Sequence, residues 1–166
     1  MKKRDFDIAF RGLALGQHEF QYDLDDTFFT LFEYSDYRGL RGTTELKMLK
    51  SETVLDLELH FAGSIEVPCD ITNEMYTQAL KNSFVMQIKF GDEYNDENEE
   101  LLILPHGNYQ FNAAQMLYEL VVLSIPSKLL GPNASNGLED LIEEEEDETE
   151  EKTDPRWDQL KNLLNK

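Results

Sequence analysis

Apolar and polar residues alternate with period two through much of the chain, the pattern of strands with one face buried. Phe6, Ile8 and Phe10 flank Asp7 and Ala9, and Phe20, Tyr22 and Leu24 repeat the pattern after a glycine-containing turn. Leu46 and Met48 begin a third run, with Ser51-Glu52 at its turn. Leu55, Leu57, Leu59 and Phe61 interleave with Asp56, Glu58 and His60; Gly63 then reads as a turn or bulge before Ile65, Val67 and Cys69 resume the parity. Further on, Phe84, Met86, Ile88 and Phe90 alternate with Val85, Gln87 and Lys89. Connections this short predict an antiparallel meander, because parallel neighbours need long crossovers.

Within the strand-rich part of the chain, two segments switch to helical spacing. Asp25-Asp26-Thr27 precedes Phe28, Phe29, Leu31 and Phe32, so the aspartates can cap the first turn of a short helix. Met116, Leu117, Leu120, Val121 and Leu123 fall on a helix that Asn112 can cap and Pro126 ends. Between them, Gly91–Glu100 reads as an acidic loop and Leu101–Leu104 as an edge strand. The predicted class is α+β: an antiparallel meander sheet or partly closed barrel covered by one or two helices. That domain spans residues 1–130. Residues 131–153, with the block Glu143–Glu148, read as an acidic flexible linker spanning roughly 25 Å or more as a coil. Residues 154–166 read as a short amphipathic helix, with Asp154 as cap, Pro155 in the first turn, and Trp157, Leu160, Leu163 and Leu164 on one face.

Charge changes the choice of partner. The chain holds 34 acidic and 15 basic residues in 166, a formal net charge of −19. Residues 139–166 hold 12 of the acids and 4 of the bases, so residues 1–138 keep 22 and 11, still −11. Nucleic-acid binders cluster Lys and Arg to displace phosphate counterions, and here only Met1-Lys2-Lys3-Arg4 is dense in base. An acidic surface suits basic proteins instead. No apolar run approaches the ~20 residues of a membrane span, and no apolar segment follows the charged N-terminus as in a secretory signal. A cytoplasmic protein is expected, without membrane or small-molecule substrate.

No reaction centre emerges from the chemical residues. Cys69 shares parity with Ile65 and Val67, which places it in the core as a small hydrophobe. A single cysteine excludes an internal disulfide. His18, His60 and His106 match no metal-ligand spacing. Asp92, Asp96, Asn98 and Glu100 suggest a calcium loop, but Glu97 stands where its glycine is needed. No phosphate loop, nucleophile elbow or dinucleotide fingerprint is present. Catalytic, cofactor and metal residues are therefore expected to be none. The terminal Trp–Leu face either folds back on its own domain or docks into a partner with Trp157 as anchor.

Several segments, in order, resemble the YceD family of large ribosomal RNA subunit accumulation proteins, in particular its Bacteroidetes-type members. Leu24-Asp25-Asp26-Thr27-Phe28-Phe29 is similar to their double-Phe helix start. Phe61–Asp70 resembles the strands leading into the family's Cys-Asp-Arg-Cys-Leu motif. Tyr118–Pro126, with Glu119, Leu123 and Pro126, resembles a helix running from Glu to a Leu-x-x-Pro stop. Asp154-Pro155-Arg156-Trp157-Asp158-Gln159-Leu160 resembles the Asp/Asn-Pro-Arg-Phe/Trp-x-x-Leu signature. The chain departs from the pattern in carrying Thr72 where the second cysteine belongs, so any paired-cysteine metal or redox role is not expected.

The resemblance implies a non-catalytic factor in large-subunit biogenesis and accumulation of 23S ribosomal RNA. Its expected partner is a basic ribosomal protein or assembly factor, engaged through Asp154, Pro155, Arg156, Trp157, Leu160 and Leu164, with 23S ribosomal RNA associated indirectly. The alternative is direct contact with 23S ribosomal RNA through Lys2, Lys3, Arg4, Arg11, Arg38 and Arg41.

Overall fold

A computed structural model describes residues 1–98 and 100–134. After a 3-10 turn at Lys3–Phe6 come β1 (Asp7–Ile8), β2 (Gly16–Asp25), α1 (Asp26–Thr30), β3 (Arg38–Lys50), β4 (Val54–Pro68) and β5 (Met75–Gly91). They are followed by β6 (Asn95–Asn98), β7 (Leu101–Pro105), β8 (Phe111–Asn112) and α2 (Ala114–Val122). The main sheet is open, in the order β2-β3-β4-β5-β7-β6, and β1 pairs separately with β8. The α+β class stands, as an open sheet rather than a closed barrel.

The period-two runs form the long strands as expected. Their inward residues, among them Leu46, Met48, Leu55, Leu57, Leu59, Ile65, Val67 and Ile88, are buried. On that face lie Phe6, Ile8, Phe10, Phe28, Phe29 and Phe111, with Leu117, Leu120 and Val121 of α2. The other face of the sheet is left uncovered by the described residues, and Glu19, Glu58, Val85 and Lys89 stand exposed on it. Asp25 caps α1 as anticipated, its carboxylate accepting from the Thr27 N–H at 2.9 Å. Hydrogen bonds from Thr27 hold the Asp25 carboxyl below the usual range.

Several expectations need correction. Phe6, Ile8 and Phe10 are all buried, but only Asp7–Ile8 is strand. Asn112 ties this segment down, its Nδ2 donating to the Lys3 carbonyl at 2.7 Å. The stretch Gly91–Glu100 is not all loop, because Asn95–Asn98 forms the edge strand β6. Leu101–Leu104, expected as an edge strand of an antiparallel meander, instead lies inside the sheet: β7 inserts between β6 and β5 and runs parallel to β5. No crossover helix is needed, since β6 itself carries the chain back along the edge. Gly63 makes neither turn nor bulge, and β4 passes through it opposite Gly42. A Cβ there would meet the Arg41 carbonyl at 2.6 Å and the Phe61 ring at 2.8 Å. The glycine pair makes room for the buried Phe61 ring. Finally, α2 starts at Ala114 with Ala113 at the cap position, though the Asn112 side chain still accepts from the Ala114 N–H at 3.0 Å. Leu123, expected on its apolar face, is 77% exposed.

Candidate partner-binding site

Two features stand out around β5. One is a clamp at the β4–β5 turn, and the other is a groove beside α2.

The clamp is built on Cys69–Glu74. Cys69 N–H donates to the Glu74 carbonyl, and the Asn73 N–H donates back to the Cys69 carbonyl, both at 2.9 Å. Asn73 takes the left-handed conformation (φ 55°) that closes the turn, one its side chain tolerates. Asp70 then grips the segment beyond α2: its Oδ2 accepts from the Leu129 N–H and its own N–H donates to the Leu129 carbonyl, each at 2.7 Å. Asn133 reaches back to Glu74 at 3.0 Å, and Gly131 lies against Tyr76 and Cys69 so closely that a Cβ would stand 3.2 Å from the Tyr76 ring. Two stretches far apart in sequence, Cys69–Asp70 and the chain after Pro126, are thus joined at one corner.

Cys69 is buried, as its parity predicted. Its thiol is nevertheless lowered from 9.0 to about 7, chiefly by the Thr72 N–H, then by the Thr72 hydroxyl and the Gly131 and Ile71 N–H groups. The residue is only 3% exposed, yet the burial penalty is the least of these effects, so the hydrogen bonds favouring thiolate prevail. Since the folded value lies below the unfolded one, the thiolate's stabilisation is complete above about pH 9 and disappears as pH falls through about 7. Thiolate absorbance at 240 nm should rise with a midpoint near 7 in the folded protein and near 9 in urea. The signal should be missing in Cys69→Ser, and a folded midpoint near 9 would refute the arrangement.

The groove, about 670 Å³, lies between α2, the middle of β5 and the β6–β7 hairpin. Its apolar lining includes Phe84, Met86, Leu102, Met116 and Leu123, while Asp96 and Glu119 supply its charge; among the described residues no Lys or Arg lines it. Asn82 fixes the end of α2 against the strand, its Nδ2 donating to the Leu120 carbonyl at 3.2 Å. Tyr94 donates to Asp96 at 3.0 Å, and Gln115 to Glu119 at 2.7 Å. Tyr118, also in the lining, stacks on Phe32 with centroids 4.3 Å apart.

The structure sorts the residues singled out from sequence. Cys69 and Asp70 belong to the clamp, Glu119 and Leu123 line the groove, and Pro126 falls in sequence between α2 and Leu129. Asp154, Pro155, Arg156, Trp157, Leu160 and Leu164 lie outside the described residues, as do residues 135–153, most of the stretch expected to be an acidic linker. The groove itself went unread in the sequence. Its one legible trace was acid without base around Asp96, which pointed only to a solvated loop. Among the described residues, no three His, Cys, Asp or Glu side chains cluster to hold a metal, and no helix is long and apolar enough to cross a membrane.

What these features define is a small α+β protein with a clamped corner and an acidic, half-apolar groove. Over residues 57–164 the chain matches the family described as large ribosomal RNA subunit accumulation protein YceD, and it belongs to that family. The matched region takes in most of β4, all of β5 to α2, the clamp and the groove. No curated protein and no solved structure gives a significant match.

Proposed function

We propose that the protein is a non-catalytic cytoplasmic factor for large-subunit biogenesis that captures a basic ribosomal protein or assembly factor. The family's description ties it to accumulation of large-subunit ribosomal RNA. The observation that carries the choice of partner is the groove, which presents Asp96 and Glu119 beside an apolar lining with no cation from the described residues. A net charge of −19 steers basic proteins toward it and RNA away. The basic residues of the RNA-binding alternative favour it less: Arg41 stands opposite Asp25, and Arg38 opposite Glu66. Lys3 lies over the Phe32 ring, 5.1 Å from its centroid.

In this reading the terminal segment, with Arg156, Trp157, Leu160 and Leu164, adds a second contact. Burying three such apolar side chains is worth on the order of 1.5–3 kcal/mol each before ordering costs. The tagged protein, recovered from its host with and without ribonuclease, should retain basic large-subunit proteins or assembly factors after digestion. Truncation after Thr153, or Trp157→Ala, should reduce that recovery about tenfold or more while residues 1–130 still unfold cooperatively. Loss of everything bound on ribonuclease treatment would instead make ribosomal RNA the direct partner.

A further inference from the structure

The strand β5 is 17 residues long, yet β7 pairs only with Gln87–Gly91. From Met75 to Met86 it has β4 on one side and, among the described residues, no strand on the other. Which groups face that opening follows from geometry. The Gln87 N–H donates to the Glu100 carbonyl at 2.8 Å, on the β7 side. Because the β4–β5 register is unbroken, the N–H and C=O of Thr77, Ala79, Lys81, Ser83 and Val85 face the same way. Two contacts agree: Asn82 Oδ1 accepts from the Ser83 N–H at 2.9 Å, and Gln78 Nε2 donates to the Ala79 carbonyl at 2.8 Å. Each cover is made by an adjacent side chain: that of Gln78 is lost with a rotamer change, while displacing that of Asn82 also breaks its hydrogen bond to the Leu120 carbonyl.

An open edge alone has an ordinary explanation, since natural sheets often leave one and blunt it with a lysine such as Lys81. Here, however, the edge opens into the acidic groove, with Asn82, Ser83, Phe84 and Met86 of β5 in its wall. Leu123, 77% exposed, faces them from the end of α2. A strand edge beside a helix with an apolar floor is the arrangement that accepts an extended peptide by strand addition.

We propose that an extended, basic segment of a protein partner adds to the Thr77–Val85 edge of β5, placing alternate apolar side chains in the groove against Phe84, Met116 and Leu123. Its Lys and Arg residues meet Asp96 and Glu119, and the position beside Lys81 takes a neutral or acidic residue. This deepens the reading given under Proposed function and rests on it for the partner's charge. A second copy of this chain is disfavoured at the edge by the net charge of −19 that both would carry.

The test uses the full chain and a synthetic twelve-residue peptide alternating Lys or Arg with Val or Leu, followed by amide hydrogen exchange and titration. Binding should protect the amides of Thr77, Ala79, Lys81, Ser83 and Val85, which the β4 ladder leaves free. Ser83→Pro removes one edge donor without touching the β4 ladder and should weaken binding about tenfold. Asp96→Asn with Glu119→Gln should weaken it and flatten its salt dependence. A peptide N-methylated at alternate residues tests the same hydrogen bonds without altering the protein, and should bind at least tenfold more weakly.

Equal binding of the N-methylated peptide, or protection elsewhere, overturns strand addition. So does protection of the edge amides in the peptide-free full chain that vanishes on truncation after Thr153, which would assign the edge to the chain's own terminal segment. If the peptide adds to the edge but the host partners recovered are not basic proteins, the proposed function fails while strand addition stands. If basic partners are recovered and Ser83→Pro leaves them in place, strand addition fails alone.

Discussion

Gly63→Val is expected to cost at least about 3 kcal/mol and to depress the unfolding transition by tens of degrees or prevent folding. The reason is local and rigid. A side chain at 63 meets the Arg41 carbonyl at 2.6 Å and the Gly42 Cα at 2.8 Å, both backbone atoms of the neighbouring strand. Neither can yield without separating β3 from β4, and the Phe61 ring, buried at 1% exposure, closes the remaining direction. Urea unfolding of the variant checks this. A midpoint within a few tenths molar of the parent would mean that the strands part cheaply at this row.

Asp70→Ala is expected to cost about 1–3 kcal/mol, because it leaves the partly buried Leu129 N–H without its acceptor. The loss should extend beyond stability. Release of Leu129 frees the stretch through Gly131, whose N–H helps hold the Cys69 thiol near 7. The thiolate midpoint in Asp70→Ala should therefore move upward toward 9, measured by absorbance in the folded variant. The remaining donors from Thr72 and Ile71 keep the shift partial. An unchanged midpoint together with an unchanged melting curve would show that Asp70 does not hold this corner.

These two residues differ in how readable they were. Gly63 was visible as a break in alternation, and its meaning as a turn was wrong because the break arises across strands, from a ring on Phe61 and a facing Gly42. Asp70 was singled out through family resemblance, with no physical role attached, since its partner Leu129 lies 59 residues away. Glu119 and Leu123 were named as motif residues on a helix. Only the placement of α2 beside an unpaired stretch of β5 turns them into one wall of a groove.

The chain's own pattern determined the long strands and which of their faces is buried, because alternation with period two is enforced locally by the pleat, but not the short pieces at Asp7–Ile8 and Asn95–Asn98. It also determined the cap at Asp25, since that hydrogen bond spans two residues, and the acidic charge, which is a matter of composition. What it left open is every choice made between distant segments. The parallel insertion of β7 between β5 and β6 was such a choice, as was the pairing of Asp70 with Leu129. So was the bare edge of β5 beside α2. Pairing energies of neighbouring strands are similar in either direction, so local pattern does not select among them. Packing of the whole apolar face against the aromatic layer from Phe6 to Phe29 and against α2 does.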